Sequence, residues 1–174
     1  MRIAILQIGD IHIRSANDVV LERGQHVVAA LRSLALPLNA CYAVFPGDIA
    51  YSGLTEQYVA AEAFVTELLR GIEQEYPGLR PHALFVPGNH DCDLAAASDV
   101  RDIDLLKPKL KTLTMSGDIV EHCLAVQSNY FNFVTRFGQT QTSTADRLCT
   151  RREFPTTAGS SVGFTLINTA WLTQ

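Results

Sequence analysis

Three short apolar runs, each broken by glycine and then by an acid or an amide, set the main constraint on this chain. Arg2 to Ile8 gives way to Gly9-Asp10, "CYAVF" to Pro46-Gly47-Asp48, and "HALFV" to Pro87-Gly88-Asn89. Runs of this length, rich in β-branched and aromatic residues and stopped by turn formers, read as strands whose ends meet something polar. Their near-continuous apolarity, rather than alternation, points to strands covered on both faces.

The segments between them carry helical periodicity. From Asn17 to Leu36, Val20, Val27, Leu31 and Leu34 recur at helical spacing, with a capping pattern at Ser15 to Asp18 and a stop at Pro37. A second helix runs from Thr55 as N-cap, with Tyr58, Ala61, Val65, Leu68 and Ile72 on one face, and ends near "EYPG". A β-α-β-α-β order predicts an α/β fold with a largely parallel sheet and right-handed crossover helices.

Periodicity weakens between Cys92 and Gly117, which reads as a partly helical insertion at the site. Asp118-x-x-Glu121 then resembles a capping box opening a helix with Ile119, Cys123, Val126, Tyr130 and Val134 toward the core. Tyr130, Phe131, Phe133 and Phe137 follow the same face and read as core, not as a base-stacking platform. The end of the chain predicts a hairpin around a Thr/Ala/Gly/Ser turn, with Val162 to Asn168 as its second strand and Arg151 and Arg152 on a solvated face.

With 174 residues, 47% of them hydrophobic, the chain has apolar material for one domain. A formal charge of −4 disfavours a nucleic-acid partner. The first apolar run ends at Asp10, too early for a secretory signal, and no stretch approaches the ~20 apolar residues of a membrane span. A cytoplasmic location is expected. Cys41, Cys92, Cys123 and Cys149 form no C-x-x-C pair and read as ordinary thiols, Cys92 standing nearest to a candidate ligand set. His26, His82 and His122 lack a matched motif and read as surface, helix-edge or packing residues.

In an open parallel sheet, ligands collect at the carboxyl ends of the strands. Three successive strand ends here present Asp10-x-His12, Asp48 and Asn89-His90-Asp91. Asp10 and His12, two apart on extended backbone, can point the same way and chelate one ion, while Asp48 on the next strand can bridge two and Asn89 can give a neutral oxygen to the second. Mixed oxygen and imidazole ligation suits Mn, Fe, Zn, Ni or Co better than calcium.

The blocks "GDIH", "PGDIAYSG" and "PGNHD", in this order and spacing, resemble the calcineurin-like metallophosphoesterase superfamily. "GDIAYSGLTEQYVAAEAFVTELL" and "FTLINTAW" are similar to its bacterial cyclic-nucleotide-phosphodiesterase-like branch. The resemblance implies the first half of a four-layer α/β/β/α sandwich. It implies two divalent or mixed-valence metal ions, the first held by Asp10, His12 and Asp48, the second by Asp48 and Asn89. His90 would stay off the metals and act on the phosphate or leaving group, and Asp91 would orient His90. The implied activity is hydrolysis of a phosphodiester or phosphomonoester, such as a cyclic nucleotide, by metal-activated hydroxide.

The family continues with a further histidine and a G-H-x-H block, neither of which occurs here. Residues 1–174 are therefore expected to be a metallophosphoesterase domain truncated before its C-terminal histidine ligands, with further domains of the same protein downstream. Two alternatives stand beside a phosphoesterase acting on a phosphorylated small molecule or nucleotide: a noncatalytic binding or regulatory module, and a nuclease of the same superfamily.

Overall fold

The structure, a computed structural model, describes residues 1–34, 37–96, 108, 116–156 and 159–173. Three parallel strands, β1 (Ile3–Gln7), β2 (Ala40–Phe45) and β3 (His82–Phe85), lie in that order. Ile3 pairs with Ala40 and Tyr42 with His82, so the carboxyl ends emerge together. The crossovers are helices α1 (Gly24–Ser33) and α2 (Thr55–Glu75). The fold class read from the sequence is the one observed.

Alternation along each strand divides the sheet into two faces. Cys41, Ala43, Phe45, Ala83 and Phe85 turn toward α1 and α2, joining Leu31, Phe64, Val65, Leu68 and Ile72 in the main core. Tyr42 and Leu84 turn the other way, onto Phe154 and Leu166 of an antiparallel hairpin formed by β4 (Cys149–Pro155) and β5 (Ser161–Ile167). The hairpin covers this second face at β2 and β3 but leaves Ile5 of β1 59% exposed.

Two local starts differ from the expectation. The first crossover opens as a 3-10 turn over Val19–Arg23, capped by the Asp18 carboxylate, and becomes α-helical only at Gly24. The β-branched pair Val19 and Val20 is a poor α-helix opening. Thr55 is the first helical residue of α2, not its cap: its hydroxyl contacts Asn129 Oδ1, and Gln57 Oε1 accepts the Ser52 and Leu54 N–H groups that would otherwise be orphaned.

The single helix expected from Asp118 is three pieces: α3 (Gly117–Leu124), a 3-10 turn (Ala125–Gln127) and α4 (Ser128–Thr135). Ser116, rather than Asp118, stands at the N-cap position. The break turns Gln127 fully inward, where its amide exchanges hydrogen bonds with Asn168. Tyr130, Phe131 and Phe133 are buried, as the pattern implied, and Phe133 packs on Tyr58 and Phe85. A short helix, α5 (Thr144–Leu148), leads into the hairpin. The insertion expected between Cys92 and Gly117 lies mostly outside the described residues, which include Asp93, a 3-10 turn at Leu94–Ala96, Pro108 and Ser116.

The open edge of β3 is closed by a side chain. Gln139 Oε1 accepts the Phe85 N–H at 3.0 Å and its Nε2 donates to the Phe85 carbonyl at 2.8 Å, so one amide takes the place of a neighbouring strand. Arg151 pairs with Glu153 on the exposed side of the hairpin, whereas Arg152 donates to the Gly138 carbonyl and ties the hairpin to the turn after α4. His82, expected as a surface or helix-edge residue, is exposed at the start of β3, with its ring against Tyr42 (5.8 Å) and Phe154 (4.4 Å). Among the described residues, no helix is long and apolar enough to cross a membrane.

Candidate metal centre

The first two strands do not end where their regular pairing ends. Their loops continue side by side: the Asp10 N–H donates to the Gly47 carbonyl, His12 to Asp48, Ile13 to Ile49, and Tyr51 back to Ile13. Ile13 and Ala50 form a parallel bridge, and both are fully buried. The segment Gly9–Ile13 is thus locked to Gly47–Tyr51 by backbone bonds, and the side chains between are aimed by that lock.

The aiming uses backbone that non-glycine residues seldom adopt. Asp10 (φ 54°), His12 (φ 52°) and Asp48 (φ 56°) are the only described non-glycine residues with positive φ. Left-handed backbone costs an L-residue roughly 1–2 kcal/mol, less for Asp, and such strain gathers at functional sites. The extended backbone expected between Asp10 and His12 is therefore corrected: the two converge because each lies in a left-handed turn, not because alternate strand residues share a face.

The result is a group of three donors. One ligand atom each from Asp10, His12 and Asp48 lies within 4.8 Å of the others, and His12 Nε2 stands 3.9 Å from Asp10 Oδ1. Asn89 joins Asp10 and Asp48 in lining an open cleft of about 500 Å³, to which Thr169, Leu172 and Thr173 also contribute. Two carboxylates and an imidazole, with an amide oxygen in the same cleft, are a donor set for a borderline divalent ion. The His12 Nδ1 atom is buried without a hydrogen-bond partner, an arrangement that fits an imidazole shaped for a purpose other than packing. The residues present fit a metal.

Close approach of the loops depends on glycine. A Cβ on Gly47 would lie 2.8 Å from Gly88 Cα, and one on Gly88 would overlap Asp48 Oδ1. Through this contact the second and third loops touch, and the His90 N–H donates to Asp48 Oδ1 at 2.9 Å.

The His90 ring stands edge-on to His12, centroids 4.5 Å apart. Its Nδ1 lies 2.7 Å from the Tyr51 carbonyl oxygen. A carbonyl only accepts, so this contact places the proton on Nδ1 and leaves Nε2 as the other working nitrogen. The group beside His90 is therefore a backbone carbonyl. Asp91, expected there, is instead fully buried beneath the loops: Oδ2 accepts the Gly88 N–H (2.9 Å) and the Ile49 N–H (3.3 Å), Oδ1 the Ala50 N–H and the Tyr58 hydroxyl (both 3.0 Å). Burial raises the Asp91 pKa, opposed by these four hydrogen bonds.

A family model described as calcineurin-like phosphoesterase matches residues 3–161. The chain belongs to that family. A comparison with curated proteins finds no match. As a calcineurin-like phosphoesterase with an Asp-His-Asp group at its strand ends, the chain has the chemistry of a metal-dependent phosphoester hydrolase.

Sequence reasoning brought Asp10, His12, Asp48 and Asn89 to one place and missed the part played by Tyr51. No side-chain motif signals a backbone carbonyl. None of the four cysteines forms a disulfide, and Cys92 sits 2% exposed, its sulfur 3.5 Å from Gln127 Nε2, apart from the ligand group.

Proposed function

We propose that the chain carries a dinuclear-metal phosphoesterase centre acting on a phosphodiester or phosphomonoester, a cyclic nucleotide among the candidates. Asp10, His12 and Asp48 would hold one cation, and Asp48 with Asn89 a second. The observation that carries this reading is the convergence of Asp10, His12 and Asp48 within 4.8 Å on backbone of an unfavourable conformation.

When bound, divalent cations supply Lewis acidity, neutralising phosphate oxygens and making water nucleophilic near neutral pH. The chain's own contribution is placement. With Nδ1–H held by the Tyr51 carbonyl, His90 Nε2 is the nitrogen left for the substrate: in the neutral ring it only accepts, and in the imidazolium it carries the proton that can pass to the departing alkoxide oxygen. Asp91 acts through the loops it ties, not on the imidazole. Thr169, Leu172 and Thr173 line the same cleft as Asp10, Asp48 and Asn89.

One observation favours a second reading, a metal-binding module without turnover: among the described residues, His26, His82 and His122 stand outside the ligand group. One experiment separates the two. The protein is loaded with Mn²⁺, its metal content measured, and hydrolysis of bis(p-nitrophenyl) phosphate compared with that of Asp48→Asn. Turnover above the variant supports the enzyme; stoichiometric metal with no turnover supports the module.

A further inference from the structure

We propose that Arg14 and Tyr51 form a subsite for a flat aromatic ester group of the phosphoester; this rests on the phosphoesterase reading for the position of the phosphate. The fully buried pair Ile13 and Ala50 forms the parallel bridge between the first two loops, and the Tyr51 N–H donates to the Ile13 carbonyl at 3.1 Å. The next residue on each segment is Arg14 and Tyr51, so these two leave the paired backbone together on its solvent side. Both are exposed.

They meet there. The Arg14 guanidinium carbon lies 4.3 Å from the Tyr51 ring centroid, in cation–π geometry. Among the described residues no carboxylate forms an ion pair with that guanidinium. Asp18, four residues on, is engaged by the Arg14 and Val20 backbone N–H groups. A guanidinium with no ion pair among the described residues is thus held over an aromatic ring that is itself 42% exposed.

The pair stands beside the candidate centre. The Tyr51 ring is 5.6 Å from the His90 ring, tilted by 34°, and 6.3 Å from the His12 ring. A phosphate held near His12 and His90 would carry its ester group to within reach of this shelf. Guanidinium planes and aromatic rings are the surfaces on which proteins stack flat π systems, and a group with a π face fits both members of the pair where an aliphatic one does not. The same residue then serves twice: the Tyr51 carbonyl holds His90 and the Tyr51 ring meets the substrate.

The test uses phosphonates, which carry charge and shape but no ester bond to break. Phenylphosphonate and cyclohexylphosphonate are titrated into the Mn²⁺-loaded full chain by calorimetry. The phenyl compound is expected to bind at least about fivefold more tightly, from the lower end of single-ring stacking. Tyr51→Leu and Arg14→Met should each bring that ratio to about one, while Tyr51→Phe, which keeps the ring, should preserve it. No binding of either compound, a ratio near one in the parent, or a ratio that survives both variants overturns the subsite. Arg14→Met alone decides the matter if Tyr51→Leu does not fold. Hydrolysis of bis(p-nitrophenyl) phosphate is read separately: aryl preference without turnover sinks the enzyme reading and leaves the subsite, and turnover without preference does the reverse.

Discussion

The Tyr58 hydroxyl donates to Asp91 Oδ1 at 3.0 Å, joining helix α2 to the loop after β3 at a point where Tyr58 is 4% and Asp91 0% exposed. Around that bond the Asp91 carboxylate also gathers the N–H groups of Ile49, Ala50 and Gly88. One side chain thereby fixes two of the three ligand-bearing loops to the helix beneath them. Burial, and then the neighbouring Asp91 charge, hold the Tyr58 pKa well above its ordinary value, so the phenol stays a donor across the working pH range.

Asp91→Ala leaves three backbone donors and a phenol without their acceptor. A buried unsatisfied donor costs about 1–3 kcal/mol, so the variant is expected to lose at least about 3 kcal/mol of stability, and Tyr58→Phe about 1–2 kcal/mol. Urea unfolding followed by circular dichroism measures both. An Asp91→Ala protein as stable as the parent would show that the carboxylate does not hold the loops.

Asp10→Gly should behave in the opposite sense. The Asp10 side chain is 84% exposed and its φ is 54°, so glycine removes little packing and relieves a left-handed residue. The metal-free variant is expected to be as stable as the parent or up to about 1 kcal/mol more so. Its gain in Tm on adding Mn²⁺ should shrink, because a ligand is gone. Calorimetric scans with and without Mn²⁺ measure the two effects, and a metal-free Tm well below the parent's counts against strain at this position.

Gly88→Ala tests the contact between loops. The added Cβ would stand 2.5 Å from the Asp48 backbone nitrogen, so Asp48 has to move. Overpacking of this kind costs about 1–3 kcal/mol, and Mn²⁺ affinity should fall several-fold with it. Gly117→Ala, where a Cβ would meet nothing within 4 Å, is the control and should lie within about 0.5 kcal/mol of the parent. Equal Mn²⁺ affinity in Gly88→Ala and the parent would separate this glycine from the site.

His82 gives the hairpin interface a pH dependence. Partial desolvation of this exposed ring beside Tyr42 and Phe154, and then the charge of Arg152, lower its pKa below the ordinary histidine value of about 6.5. The unfolded chain therefore binds this proton more readily than the folded one, and stability rises with pH through the window below about 6.5. Acidification through that window should lower Tm, and His82→Phe, which keeps a ring in place, should reduce the fall. Melting curves between pH 5 and 7.5 measure the difference; parallel profiles for the two proteins would remove His82 as a contributor.

What the sequence determined by itself was the periodic part of the molecule and the chemistry waiting at its ends. Apolar runs such as "CYAVF" and the α2 face from Tyr58 to Ile72 are local patterns, and burial on a sheet or helix face follows from their period alone. The Gly-Asp and Gly-Asn breaks likewise marked Asp10, Asp48 and Asn89, because only a strand end needs a turn former followed by a ligand. The tertiary structure decided how those residues meet: the left-handed backbone at Asp10, His12 and Asp48 exists because the loops are bonded to each other and to Asp91 from below. It also gave Asp91 to Ile49, Ala50 and Gly88 instead of to His90, and gave His90 to a carbonyl that every residue type possesses. Hydrogen bonds between segments some forty residues apart are set by the packing of the whole, and no local pattern records them.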